Sequence, residues 1–392
     1  MSDNPGTWSH FRLNFEQQQK RAKDLLKAAR AGDMPALAKF QSHPPQLAEA
    51  QYLIARDLRF GSWAELKTHI AAMQRERELM DGTEALDAGM RTLHIRCGSD
   101  IRESLRVAGL QGDFHEHSYP CLAGPVRDGA DALMQRARLL LESASYERVV
   151  IWSEFDCYDQ LVLLRLLGHY ATHPCPPRLE LVNAGAWPGG MRFIGLGQLP
   201  PEALRMLWSR REPATTAQLS LGLAGWKALA SDDPRGLAQI MRTGTPALPL
   251  LAPALHRHLQ ELPSALNGLG FTQQMALALL AEGPCSLQRI FGQLNYFIDP
   301  LPGQGDLQMR DHVQPMGNVA EPLFTRQDGV DSAGRARPPW TDLLTITDAG
   351  RAVLRGELDF LSLHPPPRWV GGVEIGTGHR NWRWDERSKR PL

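Results

Sequence analysis

Net charge is absent from this sequence: 43 lysines and arginines balance 43 aspartates and glutamates over 392 residues. No global positive field therefore draws the molecule to nucleic acid or to an anionic membrane, although a local basic patch is still allowed. No apolar run approaches the ~20 residues that a membrane-spanning helix needs, so no membrane partner is expected. The opening residues, MSDNPGTWSHFRLNF, show no charged-then-apolar leader, and a cytoplasmic location is expected. Cysteine is scarce. Cys97, Cys121, Cys157, Cys175 and Cys285 are odd in number and form no CxxC pair, which argues against both a disulfide framework and a sulfur-rich zinc site.

The residues that are present describe a globular protein, 43% hydrophobic and 22% charged, long enough for two or three domains. Residues 1–82 read as a helical leader. FEQQQKRAKDLLKAARAGD has apolar positions about a turn apart and closes at Gly32, QLAEAQYLIARDLRFG closes at Gly61, and Ser62 with Glu65 forms a capping box for a further helix. Residues 90–230 alternate strand and helix. TLHIRCGSDIRESLRVAGL, GDFHEHSYPCLAGPV, RVVIWSEFDCYDQLVLLRLLGHY and RLELVNAG predict a Rossmann-like, mostly parallel sheet. Residues 231–392 read as helical and winged-helix-like, with helices divided at Gly283-Pro284, a strand passing into a helix near Thr347 or Asp348, and a Trp- and Gly-rich tail that forms a hairpin.

In an open parallel sheet, ligands bind beyond the carboxyl ends of the strands, where loops diverge and helix N-termini point outward. Three loops are expected to meet there. Gly98, Ser99 and Asp100 form a tight turn that could cradle an anion. A second loop runs from His115 and His117 to Gly124. The third follows an apolar strand that stops at Trp152, and Glu154, Asp156, Tyr158, Asp159 and Gln160 come in quick succession. Glu154 is the candidate general base or metal ligand, supported by Asp156 and Asp159; the Asp156 to Asp159 spacing is equally that of a helix cap and its third residue. His115 and His117, with Glu154 or Asp156, are candidate ligands of a divalent metal such as zinc, manganese or iron, and a loop position on the surface is the plainer reading of both histidines.

Several separated motifs resemble one family. LHIRCGSD, GPV at 124–126, W-x-E and YDQL-x-LL at 152–164, RFIGLGQLPPEAL, LPLLAPALHRHLQELPS and RWVGGVEIG…WRWD together resemble bacterial proteins that carry the domain of unknown function 1835 with its usual C-terminal companion. The resemblance spans about residues 91–385 and leaves the helical leader outside. It implies an α/β domain joined to a winged-helix-like tail, and it places His94, Gly98, Asp100, Trp152, Glu154, Asp159 and Gln160 on shared motifs without assigning any of them a reaction.

These readings converge on a domain that binds a small anionic or nucleotide-like ligand at its strand ends and acts on it as a hydrolase or transferase. Two alternatives stand beside it. One is a ligand-sensing transcriptional regulator that reads DNA with the winged helix. The other is an interaction scaffold that engages a protein partner through the N-terminal helices or the tail. Arg368, Arg380, Arg383, Arg387, Lys389 and Arg390 interleave with Trp369, Trp382 and Trp384 there, a mixture that suits nucleic acid but is equally typical of protein interfaces.

Overall fold

The computed structural model describes residues 8–80, 82, 85–122, 124–126, 138–327, 338–376 and 381–392. Arg380 of the tail, and residues 328–337 of the polar segment before the last helices, lie outside the described residues. The leader is helical as expected. Helix α1 (Phe15–Arg30) starts on Asn14, whose side chain accepts from the Gln17 N–H. It stops at Gly32, whose φ of 87° lets Asp33 N–H reach back to the Ala28 carbonyl at 3.1 Å. A short turn, α2 (Met34–Leu37), is capped by Asp33, and α3 (Leu47–Asp57) follows. The end of α3 departs from the sequence expectation. Arg59, not Gly61, takes the left-handed position (φ 67°) that returns Phe60 N–H to Ala55. That conformation costs a non-glycine residue about 1 kcal/mol, offset by two bonds from the Arg59 guanidinium to the carbonyls of Gly189 and Met191 at 3.1 and 2.9 Å. Helix α4 (Trp63–Met80) begins on Ser62, which accepts from Glu65 N–H; the Glu65 carboxylate caps Gly61 N–H in turn.

The central segment alternates as predicted: β1 (Thr92–Arg96), α5 (Arg102–Val107), β2 (Asp113–Glu116), β3 (Arg148–Glu154), α6 (Cys157–Tyr170), β4 (Arg178–Ala184), α7 (Pro201–Trp208) and β5 (Glu212–Pro213). The strands order as β2-β1-β3-β4-β5. Strand β1 runs parallel to both β2 and β3, while the short β5 is antiparallel to β4. The protein is thus mixed α/β with a mostly parallel sheet. Every residue of β1 and β3 is buried; Val149–Trp152 of β3 reads as an apolar run, whereas β1 buries Thr92, His94 and Arg96 beside its apolar residues.

The remainder is helical with small antiparallel pieces: α8 (Thr216–Leu229), α9 (Arg235–Thr243), α10 (Leu251–Leu259), α11 (Phe271–Glu282), β6 (Cys285–Ser286), α12 (Leu287–Gln293), a π turn over Leu294–Ile298, α13 (Asp306–Val313), β7 (Phe324–Gln327), β8 (Leu343–Ile346), α14 (Asp348–Leu354), β9 (Arg368–Val370) and β10 (Val373–Ile375). Strands β6, β8 and β7 form a three-stranded antiparallel sheet in that order. Thr347 caps α14, and β9 with β10 make the hairpin read from the tail. No helix among the described residues is long and apolar enough to cross a membrane.

Two compact units emerge, each assembled from separate stretches of chain. The first comprises Met1–Glu116, Tyr146–Glu154 and Glu180–Pro213; the second comprises His117–Ser145, Phe155–Leu179 and Ala214–Leu392. In the first, the helical leader has its own core around Ala22, Phe40, Ile54, Leu58 and Leu66. It is tied to α7 by Glu202, which is fully buried and accepts from Arg12 at 2.7 and 2.9 Å and from Arg77 at 2.6 and 3.1 Å. In the second unit, α6 and α8 cross on glycines. A Cβ on Gly222 would sit 2.3 Å from the Leu167 Cβ, and one on Gly225 would sit 2.7 Å from Leu164. A separate core gathers Leu277, Ile290, Met309, Leu323, Leu344 and Phe360.

Candidate functional site

The strand order reverses between β1 and β3: the chain leaves β1 for β2 on one side, and β3 is followed by β4 on the other. Such a switch point opens a crevice at the carboxyl ends of the two strands. The register pairs Arg96 with Trp152, so the turn after Arg96 and the end of β3 at Glu154 border the same place in the first unit. The expectation that the strands ending near Cys97 and Trp152 lie side by side and point the same way holds.

What stands there is an ionic knot built on a residue that sequence reasoning passed over. Arg96 is 2% exposed, and a buried charge needs partners. Its guanidinium lies 3.0 Å from one Glu154 oxygen and donates to both Asp100 oxygens at 3.1 Å. The other Glu154 oxygen accepts from the Leu196 N–H. The Gly195-Leu196-Gly197 turn closes over the acids so tightly that a Cβ at Gly195 would lie 2.8 Å from Glu154 Oε1 and one at Gly197 2.8 Å from Asp100 Oδ2. Burial works to raise the Asp100 carboxyl, but the Arg96 charge and hydrogen bonds outweigh it and hold Asp100 below the ordinary carboxylate range. Glu154 is thus a buried anchor, 4% exposed, with Arg96 on one oxygen and a backbone N–H on the other. Ser99 gives its carbonyl to Arg102 N–H at 3.2 Å.

His94 and Trp152 serve the interior of the sheet. Trp152 Nε1 donates to His94 Nδ1 at 3.1 Å, and His94 Nε2 lies 3.0 Å from Asp87. Because an indole can only donate, His94 Nδ1 is the acceptor and its proton sits on Nε2, facing the carboxylate. Asp87 also accepts from the N–H groups of Gln111 and Gly112 at 2.9 and 2.8 Å. Burial pushes its carboxyl up, and these hydrogen bonds pull it below the usual range.

The other site residues belong to the second unit. Asp156 is the N-cap of α6 and accepts from Asp159 N–H at 2.7 Å, the capping reading of that spacing. Both acids are buried, and a Cβ at Gly303 would lie 2.7 Å from Asp156 Oδ1. The Tyr158 hydroxyl accepts from Tyr119 N–H at 3.1 Å, and Gln160 is fully buried. Gly124, at φ 50°, packs so closely on the β9–β10 turn that a Cβ would lie 2.2 Å from the Gly371 carbonyl. His117 is buried, whereas His115, in the first unit, is half-buried on β2. Among the described residues, no group of three or more metal-spaced His, Cys, Asp or Glu side chains includes either histidine.

The first unit also holds a recess that the sequence did not single out. Its volume is about 170 Å³, and Arg102, Arg106, Gln111, Gly112, Asp113 and Phe114 line it, with His94 and Leu105. Arg102 and Arg106 are one turn apart on α5 and so share a face. Among the described residues Arg102 has no carboxylate partner, its guanidinium standing 5.9 Å from the Phe114 ring centre. Asp113 is engaged by the Tyr146 hydroxyl at 2.7 Å, and Arg106 meets Glu103 only at 3.4 Å. The i,i+4 arginines were the signal available in RESLRV.

Comparison of the chain with protein-family models gives no matching family. Comparison with curated proteins gives no match either.

Proposed function

We propose that the first unit is an α/β binding domain for a small anionic ligand bearing a phosphate or carboxylate group. The observation that carries this reading is the recess lined by Arg102 and Arg106 beside β1 and β2, where Arg102 has no carboxylate partner among the described residues. The switch point, where the sequence expectation set the anion on Gly98, Ser99 and Asp100, does not carry it. There Asp100 and Glu154 outnumber Arg96, so that end of the sheet repels an anion and the flank of α5 attracts one. Hydrolysis or group transfer by Glu154 requires its release from Arg96 and Leu196, which favours binding over turnover. The experiment is a thermal-shift series with inorganic phosphate, pyrophosphate and small dicarboxylates. A ligand at 100 times its Kd adds about 2.7 kcal/mol of stability. Arg102→Gln with Arg106→Gln should abolish that gain, and a gain that survives both substitutions places the anion elsewhere.

We read the C-terminal part of the second unit as winged-helix-like, on the succession α11, β6, α12, α13, β7, β8 and the strand order β6-β8-β7. Its charges favour a protein partner over DNA. Helix α13 carries Asp306 and Asp311 against Arg310, which is itself bound to Asp311 at 3.1 Å, so it offers no cationic row to a phosphate backbone. Much of the tail is engaged within its own unit. Trp384 is buried, Trp382 Nε1 donates to the Asp232 carbonyl at 3.1 Å, and Arg383 binds Asp359 at 2.6 Å. A gel shift that weakens steeply with salt would overturn this second reading. We propose membership of the family with domain of unknown function 1835 on the motif residues His94, Gly98, Asp100, Trp152 and Glu154, which fall on β1, β3 and the turn after β1.

A further inference from the structure

The recess on the flank of α5 carries groups of both signs, and that narrows what it can hold. Arg102 has no carboxylate partner among the described residues. The Arg106–Glu103 pair is long, 3.4 Å, and exposed at both ends, so an incoming anion competes with it easily. The acceptors come from the chain that leads into β2. Asp113 Oδ2 accepts from the Tyr146 hydroxyl at 2.7 Å, and Oδ1 accepts from nothing among the described residues. The Gln111 amide nitrogen donates to the Arg106 carbonyl at 3.0 Å, which fixes the amide's orientation and leaves Oε1 as an open acceptor. At the buried end, His94 lines the recess with carbon only. Its Nδ1 is taken by Trp152 and its Nε2 by Asp87, so the ring has no polar atom to offer a ligand.

Each set of groups selects a different part of the ligand. A wholly anionic ligand, such as pyrophosphate or a dicarboxylate, suits the arginines but brings further negative charge towards Asp113, and like charges repel. A ligand that also satisfies Asp113 and Gln111 must bring donors without charge, and hydroxyl groups are such donors. Size sets the next limit. The recess is about 170 Å³, close to the cavity of about 150 Å³ that takes a single benzene. A three-carbon chain or one sugar ring fits such a hollow, whereas a purine with its ribose exceeds it. We propose that the recess binds the phosphate monoester of a small polyol or sugar, with the phosphate on Arg102 and Arg106 and the hydroxyls donating to Asp113 Oδ1 and Gln111 Oε1. A phosphate suits the paired arginines because its oxygens accept the forked N–H groups of a guanidinium two at a time. Leu105 and Phe114 give the ester's C–H groups an apolar wall. This inference rests on the anionic-ligand reading above and adds the other end of the ligand to it.

Isothermal titration calorimetry on the full chain tests it with four probes: inorganic phosphate, pyrophosphate, glycerol 3-phosphate and ribose 5-phosphate. The two esters should bind about tenfold or more tighter than either inorganic ion, the weight of one hydrogen bond to a charged group. Asp113→Asn is the diagnostic variant. Its amide oxygen still accepts from Tyr146, while the second acceptor becomes a donor and the negative charge is lost. The substitution should weaken the esters about tenfold and strengthen pyrophosphate, a crossing of affinities that a damaged fold does not produce. Esters no tighter than the inorganic ions, or a preference untouched by Asp113→Asn, overturn the polyol assignment. The anion site itself still stands in that case if Arg102→Gln with Arg106→Gln abolishes the binding of inorganic phosphate. Binding of phosphate and esters alike that survives the double arginine substitution, or no binding of any probe, overturns both.

Discussion

Glu154→Gln is the sharpest probe of how the switch point is built. In the wild type, one carboxylate oxygen faces the Arg96 guanidinium at 3.0 Å and the other accepts the Leu196 N–H. A glutamine has one acceptor and one donor end, so either orientation sets an N–H against another N–H. Removing one partner of a buried pair costs about 3–5 kcal/mol. Arg96 keeps Asp100 at 3.1 Å, so the lower figure, about 3 kcal/mol, applies. At about 2–4 °C per kcal/mol for a unit of 150–250 residues, the product of the two is a fall in Tm of about 6–12 °C. Differential scanning calorimetry of the purified variant measures it. Gly195→Ala is an independent handle, because its new methyl group would lie 2.8 Å from Glu154 Oε1, and it should move Tm in the same direction. A Glu154→Gln protein that melts like the wild type but loses ligand affinity or turnover would refute the anchor and return Glu154 to the role of base.

Other expectations follow from the same kind of accounting. Glu202→Gln breaks charge-assisted bonds to Arg12 and Arg77, but both arginines are part-exposed and can rehydrate, so chemical denaturation should register about 1–3 kcal/mol. Gly222→Ala forces a methyl to within 2.3 Å of Leu167 Cβ at the α6–α8 crossing; overpacking of this kind costs about 1–3 kcal/mol, and the loss should appear in the urea midpoint. His258 is pushed down to about 4, chiefly by burial, with Glu261 pulling up and Arg257 pushing down. The unfolded chain takes a proton below about 6.5 that the folded chain refuses. Stability should therefore fall as pH drops from about 6.5 to about 4. His69 and His169, also held down to about 4, add to the slope, and His258→Leu should flatten part of it.

Local signals were legible because their physics is local. A cap needs only a side-chain oxygen within three residues of an open N–H, so Ser62, Asp156 and Thr347 could be read directly, as could the glycine stop at Gly32. The apolar run Val149–Trp152 announced β3, and alternation with helices pointed to the parallel sheet. The partners of charges were not legible. Nothing in TLHIR says that Arg96 will meet Glu154, and nothing near residue 12 points to Glu202, 190 positions away. Ion pairing depends on which distant segments the fold brings within about 4 Å, and the backbone N–H of Leu196, which holds Glu154, has no signature in any side chain. The sequence alone thus determined the element types, most of their ends and the parallel course of the strands ending near Cys97 and Trp152. Only the tertiary structure decided that Asp100 and Glu154 at the strand ends are held by an arginine and a backbone amide, and that Arg102 of α5 lines a recess with no carboxylate partner among the described residues.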